Sequence, residues 1–250
     1  MRTRYRTVNV DGLNVFYREA GLTDAPALLL LHGFPTSSHM FRELIPALAD
    51  RYYAVAPDLP GFGFSDAPDR TDFKYSFDHL TDVIDRFTEL LGLSHYAVYV
   101  FDYGAPIGFR LALRRLLERI VAVISQNGKA FLDGLSEGWN PIQAYWKNPS
   151  RENRAALRGF LMPEATRTQY TTGVPTPELL SPDAWTLDSA LLARPTSGTS
   201  LCCSSKAAIN LLTKSWTAEY GASSVRVNAV SAPGLRALRV RMRWAKAFID

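Results

Sequence analysis

Residues 96–113, YAVYVFDYGAPIGFRLAL, constrain this chain more than any other stretch. An apolar, β-rich run (Tyr96–Phe101) stops at Asp102, Gly104 follows two positions later, and helix-like sequence then begins. A sharp strand-to-helix turn of this kind raises one side chain at the end of a buried parallel strand. It is the geometry of the nucleophile elbow, with a carboxylate in place of the usual serine. Gly104 and Ala105 are small enough to let the helix start lie against the strand. Asp is also a common helix N-cap, so on this stretch alone Asp102 stands between capping residue and nucleophile.

Around that turn the chain alternates strands and helices. Residues 5–10 and 13–19 read as two strands joined by Asp11-Gly12, a strong hairpin signal. Ala27–Leu31 is a continuous apolar run, as expected of a strand buried on both faces, and ends in His32-Gly33-Phe34-Pro35. The spacing of Phe41, Leu44, Ile45 and Leu48 predicts one helix from Ser38 to about Asp50. Tyr52–Ala56 is a short buried strand running into a Gly/Pro-rich loop, 57–65. Ser76 to about Leu91 reads as an amphipathic helix with Leu80, Val83, Ile84, Phe87 and Leu90 on its apolar face. After the central turn and a helix of about a dozen residues, Ile120–Ser125 is a further strand. This order predicts an α/β fold, a mostly parallel sheet with flanking helices.

The texture changes twice afterwards. Residues 135–195 lose the alternation and carry Trp139, Tyr145, Trp146, Tyr170 and Trp185 among prolines and polar turns. They read as a helical lid over the strand ends, with short helices at about 141–147 and 151–161. Thr196–Ser200 is a polar linker. Ser204–Tyr220 is helical in pattern, with Gly221 at the C′ position, and Val225–Val230 is β-branched. The expected organisation is therefore a core over 1–134, a lid over 135–195 and a helix–strand segment with a basic tail over 196–250.

Composition narrows the class. Hydrophobic content of 47% and charged content of 21% suit a water-soluble globular chain, and no apolar run approaches the eighteen residues of a membrane helix. No signal peptide is read at the N-terminus. The two cysteines, Cys202 and Cys203, are adjacent, so they cannot staple distant elements; their use fits a reducing, cytoplasmic setting. No metal-ligand spacing and no cofactor motif is present, and Pro60-Gly61-Phe62-Gly63 lacks the spacing and context of a dinucleotide turn. Net charge is +4, concentrated late at Arg236, Arg239, Arg241, Arg243 and Lys246. A solvated terminus explains that run better than a phosphate or membrane surface, and no nucleic-acid partner is expected.

Residues 1 to about 195 resemble the α/β-hydrolase superfamily, in the branch of haloalkane dehalogenases and epoxide hydrolases. The resemblance is carried by LLLHGFPTSSHMF (29–41), APDLPGFGFSDAP (56–68), VYVFDYGAPIG (98–108) and the aromatic lid. It implies Asp102 as nucleophile, and an oxyanion or leaving-group pocket from the backbone N–H groups of Phe34 and Tyr103. It further implies a loop-supporting role for His32 beside Gly33, and lid tyrosines as proton donors, with Tyr145 and Tyr170 as candidates. The substrate implied is a small apolar molecule, an epoxide or alkyl halide. A carboxylate nucleophile suits displacement at an sp³ carbon; the alkyl ester it forms must then be cleaved by water with the help of a base.

Three departures stand out. Phe34 and Tyr103 occupy positions where dehalogenases usually carry Asn or Gln and Trp, so a dehalogenase is the less favoured of the two. All four histidines, His32, His39, His79 and His95, precede Asp102, whereas the family's base follows the nucleophile. Asp133 and Asp188 could serve as the orienting acid, but no later histidine is there to orient. Finally, Ser204–Gly234 resembles a piece of the short-chain dehydrogenases/reductases, with Cys202 where that family has its tyrosine, four residues before Lys206. The C-terminal core strands of the hydrolase fold are thus expected to be missing or substituted, with Val225–Val230 docking on the open edge left by Ile120–Ser125. The expected function is an aspartate-nucleophile hydrolase impaired in turnover; the alternatives are a non-catalytic small-ligand-binding domain and, with less behind it, an NAD(P)-dependent reductase.

Overall fold

The structure, a computed structural model, describes residues 1–115, 118–128, 137–194 and 227–230. It opens with a hairpin. Strands β1 (Arg4–Val10) and β2 (Leu13–Ala20) pair antiparallel across Asp11-Gly12, whose φ angles of 50° and 96° give the double left-handed turn that matches strand twist. Strands β3 (Ala27–Leu31), β4 (Tyr53–Pro57), β5 (Tyr96–Phe101) and β6 (Ile120–Gln126) follow, and the seven-stranded sheet has the order β1-β2-β4-β3-β5-β6-β7. From β4 to β7 every pairing is parallel.

The period of two along the strands divides the core. Leu29, Leu31 and Val55 face one apolar cluster with Val98, Val100, Leu80, Ile84, Phe87 and Ile107. Their neighbours Leu28, Leu30, Ala54 and Ala56 face a second cluster with Phe41 and Ile45. Helices α2 (Phe77–Leu90) and α3 (Gly104–Arg115) cover the first face, and α1 (Leu44–Leu48) covers the second. Ser76 caps α2, its hydroxyl accepting the His79 N–H at 3.2 Å. Replacing Ser76 by alanine is expected to cost about 1 kcal/mol, seen as a lower denaturant midpoint at unchanged slope.

The single helix expected over Ser38–Asp50 is corrected. Ser38–Phe41 is a 3₁₀ turn, and α1 begins only at Leu44. Pro46 explains the break, because inside one helix its ring would clash with the Arg42 carbonyl and it has no N–H to donate; in the first turn of a new helix neither matters. The strand expected at Tyr52–Ala56 runs one residue later, at Tyr53–Pro57.

Residues 137–194 form short helices without strands: α4 (Asn140–Lys147), α5 (Arg151–Ala156), α6 (Pro163–Thr171) and α7 (Asp183–Leu192). The helix expected over 151–161 turns 3₁₀ at Leu157–Leu161. Strand β7 (Val227–Val230) lies parallel on β6, with Val123 opposite Val227 and Gln126 opposite Val230. The edge left by β6 is therefore extended by sequence from beyond residue 196. Val121 and Ile124 of β6 are 49% and 37% exposed. The helix expected at Ser204–Tyr220, the cysteines, Lys206 and the basic tail lie outside the described residues.

Candidate active site

The strand order reverses at β3, with β4 on one side and β5 on the other. Loops leaving β3 and β5 therefore diverge at their C-terminal ends, which opens a crevice where ligands settle in sheets of this kind. Asp102 stands there. Its φ of +45° is left-handed, a conformation that Asp tolerates better than most residues. Its carbonyl accepts the Ala105 N–H at 3.0 Å, which closes the turn into α3. A Cβ on Gly104 would lie 2.3 Å from the Leu31 carbonyl oxygen, and one on Gly108 2.2 Å from a Val100 methyl. The helix thus lies tight against the strands because these two residues lack side chains.

The His32-Gly33-Phe34 segment leaves β3 beside this turn. Phe34 N–H donates to Asp102 Oδ1 at 2.9 Å. That approach also depends on glycine, since a Cβ on Gly33 would stand 2.4 Å from the Asp102 Cβ and 2.7 Å from Oδ1. Tyr103, the next residue, is buried with its ring edge-on to Phe62 at 6.2 Å and Phe77 at 5.4 Å, and tilted to Phe34 at 6.3 Å. Three aromatic rings thus pack around the residue that follows Asp102.

His32 is fully buried between two loops. Its Nε2 accepts the Leu59 N–H at 2.9 Å, which leaves Nδ1–H to donate to the Gly33 carbonyl at 3.0 Å. Burial holds its pKa below the ordinary value, so the ring is neutral and committed to the loops. Asp58, which sequence reasoning did not single out, braces the same region. Its Oδ1 accepts Ser38 N–H at 2.7 Å and its Oδ2 accepts Phe64 N–H at 2.8 Å, tying the β4 loop to the β3 loop. The only sequence signal for it was an acid inside a Gly/Pro-rich turn.

The two tyrosines sit in different surroundings. Tyr145 belongs to an apolar cluster with Ile142 and Leu157, its hydroxyl 3.5 Å from Arg154. Tyr170 donates to Asp188 Oδ2 at 2.6 Å. Burial, the Asp188 charge and that bond push the Tyr170 phenol up, while burial raises the Asp188 carboxyl to about 6. His39 Nε2 sits 3.4 Å from the Asp183 carbonyl, His79 stacks on Phe73 with Nδ1 near the Lys74 carbonyl, and His95 is exposed. Asp133 lies outside the described residues. Among the described residues there is no cluster of three or more metal-ligating side chains, and no helix is long and apolar enough to cross a membrane.

Comparison with known proteins bears on the whole arrangement. The family profile of the alpha/beta hydrolase fold matches residues 26–162. An uncharacterized hydrolase of Saccharomyces cerevisiae is 44% identical over 196 residues, covering 76% of this chain and 67% of that protein. A haloalkane dehalogenase of Bradyrhizobium diazoefficiens is 41% identical over 110 residues, covering 44% of this chain but 34% of its own length. The chain thus spans about two thirds of the first relative and about a third of the second. Two solved structures share the fold: a haloalkane dehalogenase loop variant from Bradyrhizobium elkanii (TM-score 0.71, 23% identity, 92% of this chain and 79% of that one) and a ligand-free epoxide hydrolase (TM-score 0.69, 19% identity, 92% and 81%). The relatives and structures named here are hydrolases, and these comparisons bring no support for the reductase-like reading of residues 197–235.

Proposed function

The chain belongs to the α/β-hydrolase family, and from that premise we propose that it attacks small epoxides or alkyl halides with the Asp102 carboxylate. The observation that carries this reading is the Phe34 N–H bond to Oδ1 of an aspartate held at positive φ between a parallel strand and a helix. With Oδ1 oriented by that bond, the carboxylate attacks an sp³ carbon. A C–O bond to the enzyme forms as the carbon–halogen or epoxide C–O bond breaks, and the electron pair leaves as halide or alkoxide. The alkoxide takes a proton from water or from a lid tyrosine, Tyr170 or Tyr145. The Phe34 and Tyr103 N–H groups are the donors of a pocket for the negative charge of the leaving group or, when water attacks the ester, of the oxyanion on its carbonyl.

The second step, attack of water on the ester, calls for a base, and residues 103–250 hold no histidine to serve as one. The ester is therefore expected to persist. Incubation with a small epoxide such as styrene oxide, and separately with a bromoalkane, should add one equivalent of reagent mass. Peptide mapping should place it on Asp102, with no steady release of diol or alcohol. Absence of any adduct would favour the second reading, a domain that binds small apolar molecules without reacting, for which the same lack of a late histidine speaks. Steady turnover would show that another group supplies the base.

A further inference from the structure

Helix α7 rests on the two loops that build the candidate site. Asp188, Leu191 and Leu192 line one small cavity with Pro35, Thr36 and Phe62. Arg194, just past the helix, donates to the Gly63 carbonyl at 2.7 Å, and the Asp183 carbonyl faces His39. Within this dock Asp188 is 1% exposed. Its Oδ2 takes the Tyr170 hydroxyl, while Oδ1 makes no well-aligned hydrogen bond among the described residues. A carboxylate buried this deeply with only the Tyr170 and Thr36 hydroxyls beside it is costly, whereas the uncharged acid is much less so. Thr36, beside the pair, is two residues from Phe34, whose N–H orients Asp102.

We propose that Asp188 is a positioning residue: its uncharged carboxyl clasps α7 to the turn carrying the Phe34 N–H, and ionisation loosens that clasp. The groups that bear on it are Tyr170 from α6, Thr36 from the β3 loop, the cation of Arg42 and the anion of Asp58. Tyr170, Thr36 and Arg42 favour the charged form; burial and Asp58 oppose it, and burial is the largest influence. The sign follows. A carboxyl that stands near 6 when docked and at 3.8 when released stabilises the dock fully below 3.8 and loses that contribution as pH rises through 6. His39, whose pKa burial lowers, acts in the opposite sense on the same helix.

The clasp is read by hydrogen exchange of the α7 amides, corrected for intrinsic rates, in the wild type and in Asp188→Asn. The asparagine keeps shape and acceptor but cannot ionise, and the His39 contribution is common to both proteins. The ratio of wild-type to D188N protection is expected to be about tenfold higher at pH 5 than at pH 7.5. Tyr170→Phe, which removes the donor to the carboxylate, should move the inflection to higher pH. A ratio that stays constant over this range overturns the clasp. The link to Asp102 rests on the function proposed above, and epoxide labelling tests it separately. The labelling rate of D188N relative to wild type should grow with pH. If no adduct forms while the exchange ratio moves as expected, the reading of Asp102 fails and the clasp stands.

Discussion

Alanine in place of Gly104 is expected to be among the most damaging single substitutions in the protein. Its Cβ would stand 2.3 Å from the Leu31 carbonyl oxygen and 2.7 Å from the Leu31 carbonyl carbon, both backbone atoms that cannot swing aside. Either α3 lifts from the sheet or β3 bends, and both open the core around Leu31, Val100 and Ile107. Overpacking of this severity costs about 3 kcal/mol or more, a large share of the ~5–15 kcal/mol that holds a typical domain together. For a chain of this size that is a melting temperature lowered by roughly 6–12 °C. Gly159→Ala is the control, since nothing lies within 4 Å of a Cβ there; it should leave stability unchanged within about 0.5 kcal/mol. Equal melting temperatures for the two variants would show that the close approach of α3 is not rigid.

Asp102→Asn should separate chemistry from folding. Asparagine tolerates the left-handed backbone at this position and can still accept the Phe34 N–H, so the fold should survive. A neutral amide is a far poorer nucleophile than a carboxylate. Labelling by epoxide or bromoalkane is therefore expected to fall by roughly a thousandfold or more, on the scale seen when a nucleophile is removed elsewhere. Asp102→Ala should lose labelling and also about 1–2 kcal/mol of stability, because alanine has no local hydrogen bond to offset the strained φ. Undiminished labelling of the asparagine variant would remove Asp102 from the chemistry.

Much of the architecture was legible because it rests on local periodicity. The run Ala27–Leu31, the strand Tyr96–Phe101 and the capped helix after Ser76 are each specified by residues close in sequence, and each forms where the pattern placed it. The helix expected over Ser38–Asp50 failed for a local reason as well: the apolar spacing outweighed Pro46 in the reading but not in the backbone. The site was legible in part. Asp102 could be named from its turn and Phe34 from the family resemblance, yet nothing in either turn says that Phe34 N–H meets Asp102 across 68 positions of sequence. Asp58 and the Tyr170–Asp188 pair were hidden for the same reason, since their partners lie on other elements.

By itself the sequence determined the strand–aspartate–helix turn, because an apolar run, an acid and two small residues are local conditions on φ, ψ and volume. It also shows that residues 103–250 hold no histidine. Only the tertiary structure decided what surrounds the carboxylate. Parallel pairing of β3 with β5 brings Gly33 and Phe34 to Asp102, and reversal of strand order at β3 opens the crevice above them. Docking of α7 then sets a buried acid against the Thr36 turn. Those contacts join residues far apart in the chain, and their geometry follows from sheet order and packing, which no single stretch of residues encodes.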